Sequence, residues 1–96
     1  VPKENLLPNV KGLKGPLICL NSARYGIAWG VMGAAMDCYD TALRYSLQRK
    51  QFGKPIASFQ LQQKKLAEMV TEITKMQLLA WRVGMLRKDD RATPAQ

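Results

Sequence analysis

The chain divides at Gln51-Phe52-Gly53-Lys54-Pro55, a break between two long segments that each show helical periodicity. The first segment, residues 17–52, contains no proline, and its apolar positions recur every three or four residues: Ile27, Val31, Ala34, Cys38, Ala42 and Tyr45. Gly53 suits the left-handed position that follows a helix, and Pro55 cannot continue one. We therefore predict a first helix over residues 17–52.

The second segment has a 3.5-residue apolar period, which is typical of helices packed at a shallow angle in a bundle. Ser58 is a suitable N-cap for it. The periodic positions are Phe59, Gln62, Leu66, Met69, Ile73, Met76, Ala80 and Val83, and the charges of Lys64, Lys65, Glu68, Glu72 and Lys75 lie on the outer face. We predict a second helix over residues 58–88, and an all-α fold: two long antiparallel helices, half of an up-down four-helix bundle.

Breakers mark the two ends of the chain. Residues 1–16 carry three prolines and two glycines and are predicted to be an irregular connector, with residues 17–96 as the first half of a helical bundle domain. Thr93-Pro94-Ala95-Gln96 has the pattern of a capping box that opens another helix. Two helices of about 30 residues cannot bury both apolar faces against each other. We therefore expect a segment of a longer protein, and expect this chain alone to associate as a dimer or larger assembly.

A groove of small residues, Gly26, Gly30 and Ala34, lies along one face of the predicted first helix. Glycine costs a helix roughly 1 kcal/mol relative to alanine, so such a groove indicates close approach of another surface. A close helix–helix crossing is the favoured interpretation, and a flat ligand is the alternative.

Composition excludes several classes. With 47% apolar and 23% charged residues among 96, the chain has the composition of a globular protein rather than a disordered one. No transmembrane span and no signal peptide is predicted. Cys19 and Cys38 indicate neither a disulfide framework nor a zinc site, and histidine is absent, so no metal site is predicted.

The chain is strongly basic, with 15 Lys and Arg against seven Asp and Glu, a net charge of +8. This surplus attracts polyanions such as nucleic acid, anionic lipid or the phosphates of coenzymes, or it serves solubility alone. Near the break, Arg49 offers a planar fork for phosphate, Phe52 a face for a ring and Gln60 an amide for a ring edge. The alternative is a solvated basic helix end.

The residues around the break carry a family resemblance. Arg49-x-x-Phe52-Gly53, followed by Gln60 and by Leu66-Ala67-x-Met69, resembles the start of the C-terminal helical domain of acyl-CoA dehydrogenases. The upstream run Leu20-Asn21-Ser22-Ala23-Arg24-Tyr25-Gly26-Ile27-Ala28-Trp29-Gly30 is most similar to the glutaryl-CoA type within that family. Short-chain acyl-CoA oxidases of the plant type have similar sequences. The resemblance covers essentially the whole chain, but only about a quarter of a full-length enzyme.

The resemblance implies a set of site residues. Arg49, Gln51, Phe52 and Gln60 match cofactor positions for FAD held mainly by a neighbouring subunit, with Arg49 near the pyrophosphate and Phe52 beside the flavin nucleotide. An acyl-CoA site would be lined by the stretch Leu17, Ile18, Cys19, Leu20, Asn21, Ser22, Ala23 and Arg24, with Arg24 approaching the CoA portion.

The resemblance also implies an activity and partners. The family oxidises an acyl-CoA to its enoyl-CoA in fatty acid or amino acid catabolism, and glutaryl-type members also decarboxylate the product. The implied partners are the acyl-CoA, the other subunits of a homo-oligomer (a tetramer in the parent) and electron-transfer flavoprotein. The implied location is the bacterial cytoplasm or the mitochondrial matrix. The family's catalytic glutamate has no counterpart here: Glu68 and Glu72 are interpreted as solvated helix charges, no catalytic residue is assigned, and the chain alone is predicted to be inactive.

Three other functions stay open at this point. A short-chain acyl-CoA oxidase segment would have a similar sequence. A helical oligomerisation or interaction module without catalysis would need only the apolar period of residues 59–83. A nucleic-acid-binding module is disfavoured, because the helix that carries Arg44 and Arg49 is mostly apolar and glycine-rich rather than lined with base-reading side chains.

Overall fold

The computed structural model describes residues 1–93, and its main feature is a pair of long antiparallel helices. Helix α1 spans Lys14–Gln48 and helix α2 spans Gln60–Lys88. The connection holds two short strands, β1 (Lys50–Gln51) and β2 (Lys54–Pro55), and a 3-10 turn over Ile56–Ser58; another 3-10 turn covers Lys3–Asn5. The all-α prediction is confirmed.

The predicted helix boundaries need correction around the break. Helix α1 begins at Lys14 rather than at Leu17, and it ends at Gln48 rather than at Phe52. The early end has a physical cause, because the backbone of Lys50–Gln51 pairs with Lys54–Pro55 and is no longer available to the helix. Arg49 is the extended residue at the junction, with φ −72° and ψ 123°.

Ser58 is not the N-cap of the second helix, so that prediction is wrong. Its hydroxyl donates to the carbonyl of Pro55 at 2.7 Å, within the 3-10 turn. Phe59 is instead the extended residue before α2, with φ −85° and ψ 130°, and it makes no side-chain capping bond.

The α2 face that contacts α1 follows the predicted apolar period with one exception. Ile73 is buried, at 8% exposure, whereas Met76 remains 37% exposed and the neighbouring Gln77 is half-buried instead. The partly buried members of the period are Phe59, Gln62, Leu66, Met69, Ala80 and Val83. Gln77 thus takes the place of Met76 on this face, while Ala80 and Val83 keep the positions that the period predicts.

The face of α1 that meets α2 differs from the one that carries the periodic apolar series. Of that series only Ala42 is partly buried; Ile27, Val31, Ala34, Cys38 and Tyr45 are exposed. The face toward α2 is made of Tyr25, Met32, Ala35, Tyr39, Ala42, Leu43 and Ser46. Helix α1 thus carries two apolar faces, of which α2 covers one.

Most of the apolar surface is consequently left uncovered. The accessible surface is 8225 Å², against about 5,500 Å² expected for a compact monomer of this mass. The radius of gyration is 21.3 Å, against about 12–13 Å for a compact chain of this length. In the described part of the chain, Cβ atoms built at Gly26 and Gly30 would meet nothing within 4 Å, so α2 does not make the predicted crossing at the small-residue groove.

A close contact between the helices occurs instead at Gly84. The hydroxyl of Tyr25 lies against this glycine, where a Cβ would collide with it, and donates to the carbonyl of Ala80 at 3.4 Å. Gly84 thus lets a tyrosine of α1 approach the backbone of α2.

Of the remaining predictions, the one for a further helix after Thr93 rests on residues 94–96, which lie outside the described part. Within residues 1–93, no helix combines the length and hydropathy needed to cross a membrane.

We predict that this chain by itself self-associates, most simply as a two-fold dimer of helix pairs. The excess surface is larger than the roughly 1,200–2,000 Å² that a stable interface buries, and apolar burial contributes about 25 cal/mol per Å². Sedimentation velocity should show a dimer or larger species, and Ile27→Lys, which places a charge on the uncovered face of α1, should shift it toward monomer. A well-folded wild-type monomer would contradict the prediction.

We also predict that Gly84→Ala destabilises the helix pair by about 1 kcal/mol. The methyl group displaces Tyr25, and the overpacking cost of about 1–3 kcal/mol exceeds the gain of about 1 kcal/mol in helix propensity. Gly33→Ala is the matched control, because its Cβ meets nothing within 4 Å, and it should be neutral or stabilising. Denaturation midpoints of both variants, measured at one protein concentration, test this prediction. Equal shifts in Gly84→Ala and Gly33→Ala would show that the contact with Tyr25 is not the cause.

Candidate functional site

The two helices are joined by a tight β-hairpin. Lys50 pairs with Pro55 and Gln51 with Lys54, which leaves Phe52 and Gly53 as a two-residue loop. The N–H of Ile56 donates to the carbonyl of Arg49 at 2.9 Å and extends the hairpin by one bond. Both loop residues have positive φ, +52° and +78°, the signature of a type I′ turn.

Phe52 occupies this turn at an energetic disadvantage. Bulky residues rarely adopt positive φ, and such a conformation costs of order 1–3 kcal/mol. The side chain recovers little of that cost, because it is 92% exposed. Within residues 1–93 its ring meets that of Phe59 edge-on, with centroids 6.2 Å apart. A strained aromatic residue held in solvent indicates a role in binding rather than in stability.

The hairpin lies in a stretch without negative charge. From Thr41 to Ala67 the sequence has no Asp or Glu, but six cations: Arg44, Arg49, Lys50, Lys54, Lys64 and Lys65. Arg44 pairs with Asp40 at 2.9 Å, and Lys54 lies 4.4 Å from the ring centroid of Phe59. Among the described residues, the exposed guanidinium of Arg49 has no hydrogen bond or ion pair. This end of the molecule therefore presents an uncompensated cation beside an exposed ring.

The structure brings the four predicted cofactor residues to this same end. Arg49 is the C-cap of α1, Gln51 and Phe52 belong to the hairpin, and Gln60 is the first residue of α2. All four side chains are exposed. Together they offer a guanidinium fork, an aromatic face and two amides, which suits a ligand with both phosphate and flat ring groups.

The predicted substrate stretch, residues 17–24, lies at the other end of the pair. It covers the second to fourth turns of α1, and every one of its side chains is exposed. Arg24 donates through Nη1 to the side-chain oxygen of Asn21 at 3.4 Å. Beside it, between α1 and α2, is an open cleft of about 720 Å³ with Tyr25, Met32, Leu79 and Val83 in its walls.

The two predicted sites are far apart in one copy of the chain. Arg24 and Arg49 belong to the same continuous helix and its cap, so at 1.5 Å per residue they are separated by about 37 Å along the axis. No small ligand spans that distance. The two predicted sets of residues are therefore too far apart in one copy to line one site together.

The two glutamates of α2 discussed above lie on its solvent-exposed side. Glu68 pairs with Lys64 at 3.6 Å and Glu72 with Lys75 at 2.6 Å, and all four side chains are mostly exposed. Both carboxylates are solvated helix charges, as predicted. No group of three potential metal ligands occurs among these residues, and both cysteines are free and exposed.

Two functional features were missed in the sequence. The first is the hairpin: Phe52 was predicted to end the first helix, but it lies in a strained turn. A two-residue loop ending in glycine is a recognised hairpin signal and could have pointed to this turn. The contacts of Gly84 and Arg87 with α1 were also missed. An isolated glycine inside a helical pattern is the signal that could have pointed to the contact at Gly84.

Comparisons of the sequence and of the structure with known proteins agree on one family. The family described as "Acyl-CoA dehydrogenase, C-terminal domain" matches residues 11–96. The chain is 38% identical to a glutaryl-CoA dehydrogenase of Desulfococcus multivorans over 95% of this chain and 24% of that protein. It is 39% identical to the caffeyl-CoA reductase–Etf complex subunit CarC of Acetobacterium woodii, over 90% of this chain and 23% of that protein.

A solved structure shares the fold. It is a glutaryl-CoA dehydrogenase from Mycobacterium smegmatis in complex with FADH2, with a TM-score of 0.93 and 41% identity over 98% of this chain and 24% of that one. The chain thus spans about a quarter of the length of the relatives that it matches.

The strain at Phe52 leads to a stability prediction. Phe52→Asn should stabilise the helix pair by about 1 kcal/mol, because asparagine before glycine is favoured in a type I′ turn. Phe52→Ala is the matched control: it removes the same ring but keeps the unfavourable φ, so it should bring no gain. Thermal unfolding of both variants tests this, and equal stability of the two would contradict strain as the cause.

Proposed function

Because the chain belongs to the acyl-CoA dehydrogenase family, we propose that it works as a segment of an FAD-dependent acyl-CoA dehydrogenase of the glutaryl-CoA type. The activity then belongs to a longer protein, of which residues 17–96 would form the first half of the C-terminal helical bundle. The observation that carries the proposal is the hairpin end, where Arg49 and Phe52 are both exposed in the sequence stretch that has no carboxylate.

The hairpin residues fit FAD by their chemistry. Arg49 is exposed and unpaired within the described residues, and its planar fork suits a pyrophosphate. The strained, solvent-facing ring of Phe52 suits a flat ring system. Gln51 and Gln60 add amide donors and acceptors at the same end. When bound, FAD supplies the two-electron oxidation of the acyl chain. A related glutaryl-CoA dehydrogenase has been solved with FADH2.

Residues 17–24 would contribute to the acyl-CoA site. The stretch combines exposed apolar side chains, Leu17, Ile18 and Leu20, with the cation Arg24. An acyl-CoA has the matching combination of an apolar chain and phosphates. In this proposal Arg24 binds the CoA portion, and the apolar residues exclude water from the acyl end.

The distance between the two sites supports action across a subunit boundary. FAD bound near Arg49 of one copy cannot meet substrate bound near Arg24 of that copy, about 37 Å away along α1. Each copy would instead serve the FAD of a neighbouring subunit through its hairpin. This arrangement requires a homo-oligomer, which we propose to be a tetramer in the complete enzyme. The uncovered apolar surface of both helices is available for contacts between its subunits.

Electron-transfer flavoprotein is the proposed electron acceptor, and a related protein is a subunit of an Etf complex. The corresponding location would be the bacterial cytoplasm or the mitochondrial matrix. The competing function is a helical interaction module without catalysis, which the large exposed apolar surface also favours. Flavin absorption by the purified full-length protein supports the enzyme, and its absence supports the module. Rapid reoxidation of reduced flavin by oxygen would indicate an oxidase instead.

Arg49→Ala in the complete enzyme should weaken FAD retention by roughly 1.5–3 kcal/mol, the contribution of one charge-assisted phosphate contact. Arg49→Lys should restore only part of this, because an ammonium group cannot grip a diphosphate bidentately. Flavin content after dilution and gel filtration is the measurement.

The matched control is Arg44→Ala, which removes the same charge about one turn earlier, within α1, from a guanidinium that already pairs with Asp40. It should leave flavin content near that of the wild type. Full flavin occupancy in Arg49→Ala, or equal losses in both variants, would refute the assignment of Arg49.

A further inference from the structure

The last turn of α2 holds the proposed substrate stretch of α1 through one arginine. Arg87 donates through Nη1 to the carbonyl of Asn21 at 3.1 Å, a contact between residues 66 positions apart. Asn21 lies inside α1, so its carbonyl also accepts the helical bond, and the second lone pair is available for Arg87. The contact therefore ties the two helices together without breaking either of them.

The same guanidinium stacks on Tyr25. Its Cζ lies 4.9 Å from the centroid of the ring, which is a cation–π geometry. The ring is fixed from its other sides, since its hydroxyl donates to the carbonyl of Ala80 and its plane meets Trp29 at 80°. Gly84, one turn before Arg87, leaves room for that hydroxyl. Arg87 thus makes two directional contacts with α1: the hydrogen bond to the carbonyl of Asn21 and the cation–π contact with Tyr25.

Asn21 is contacted by both Arg87 and Arg24. Its backbone carbonyl accepts from Arg87, and its side-chain oxygen accepts from Nη1 of Arg24 at 3.4 Å. Arg24 is exposed and long, so without a partner its guanidinium would sample many rotamers. Arg87, Asn21 and Arg24 all line the cleft between the helices.

We propose that Arg87 is a positioning residue for the acyl-CoA site: it acts through Asn21 to orient Arg24 toward the CoA portion of the substrate. This inference rests on the proposed function of residues 17–24. It assigns to α2, a helix outside that stretch, a residue on which substrate affinity depends. Arg87 does not itself contact the reacting atoms.

The test is a double-mutant cycle in the full-length enzyme, with glutaryl-CoA as substrate and an artificial electron acceptor. Arg87→Ala should raise KM about five- to tenfold while kcat changes less than about twofold, with flavin content unchanged. In an Arg24→Ala background, the same substitution should raise KM no further, because the group that it orients is gone. A merely structural role would add its effect to that of Arg24→Ala and lower kcat and thermal stability.

The matched control is Arg82→Ala, which removes an exposed arginine of α2 that has no partner among residues 1–93. It should leave KM unchanged. Arg87→Lys is the second variant and decides the question if Arg87→Ala does not fold. It keeps the charge but not the planar stack, and should raise KM about two- to threefold, again without further effect in the Arg24→Ala background.

The outcomes separate this inference from the proposed function. If Arg24→Ala raises KM but neither Arg87 variant does, or if the two effects are additive, the positioning role is overturned and the substrate site stands. If Arg24→Ala leaves KM unchanged, or the wild type does not oxidise glutaryl-CoA, the proposed substrate site fails and the positioning role fails with it.

Discussion

The hydrogen-bonded hairpin between the helices is the constraint on which the rest of the structure depends. Two short strands and a two-residue loop reverse the chain, so α1 and α2 must run antiparallel and begin their contact from a fixed point. The hairpin also removes Arg49 from the helix and sets Phe52 in solvent. A longer, flexible loop would join the same helices, but it would not hold the cation and the ring in one place.

Antiparallel helices of this length have a second consequence, which concerns function. The hairpin lies at one end of the pair, and the contacts between Arg87 and Asn21 lie near the other. A rigid helix keeps these ends apart, because its backbone hydrogen bonds prevent it from shortening. The length of α1 thus explains why each copy would serve two separate sites. An oligomer is then a requirement of the proposed chemistry as well as a means of covering apolar surface.

The sequence predicted the type of fold because two strong helical periods flank an unmistakable break, and period and breakers are local signals. It also grouped Arg49, Gln51, Phe52 and Gln60, since residues close in sequence around a turn stay close in space. The apolar series of the first helix does not identify the face of α1 that meets α2, because Ile27 and Val31 are as apolar as a buried face requires. When a helix is apolar on two sides, its sequence does not show which side packs against which partner. The contact of Arg87 with Asn21 had no sequence signal at all, since it depends on the register in which the helices meet.

The glycines of the chain serve three different structural purposes. Gly53 provides the positive φ that the hairpin requires, and Gly84 provides space for Tyr25. Gly26 and Gly30 do neither within residues 1–93, since a Cβ at either position would meet open space. Glycine inside a helix costs roughly 1 kcal/mol relative to alanine. Two such residues on the uncovered face of α1 are therefore a net cost to the isolated pair, and close contact with a surface outside that pair can compensate for it. The groove and the exposed apolar face of α1 support the same conclusion: the helix pair reaches full stability only when that face is covered.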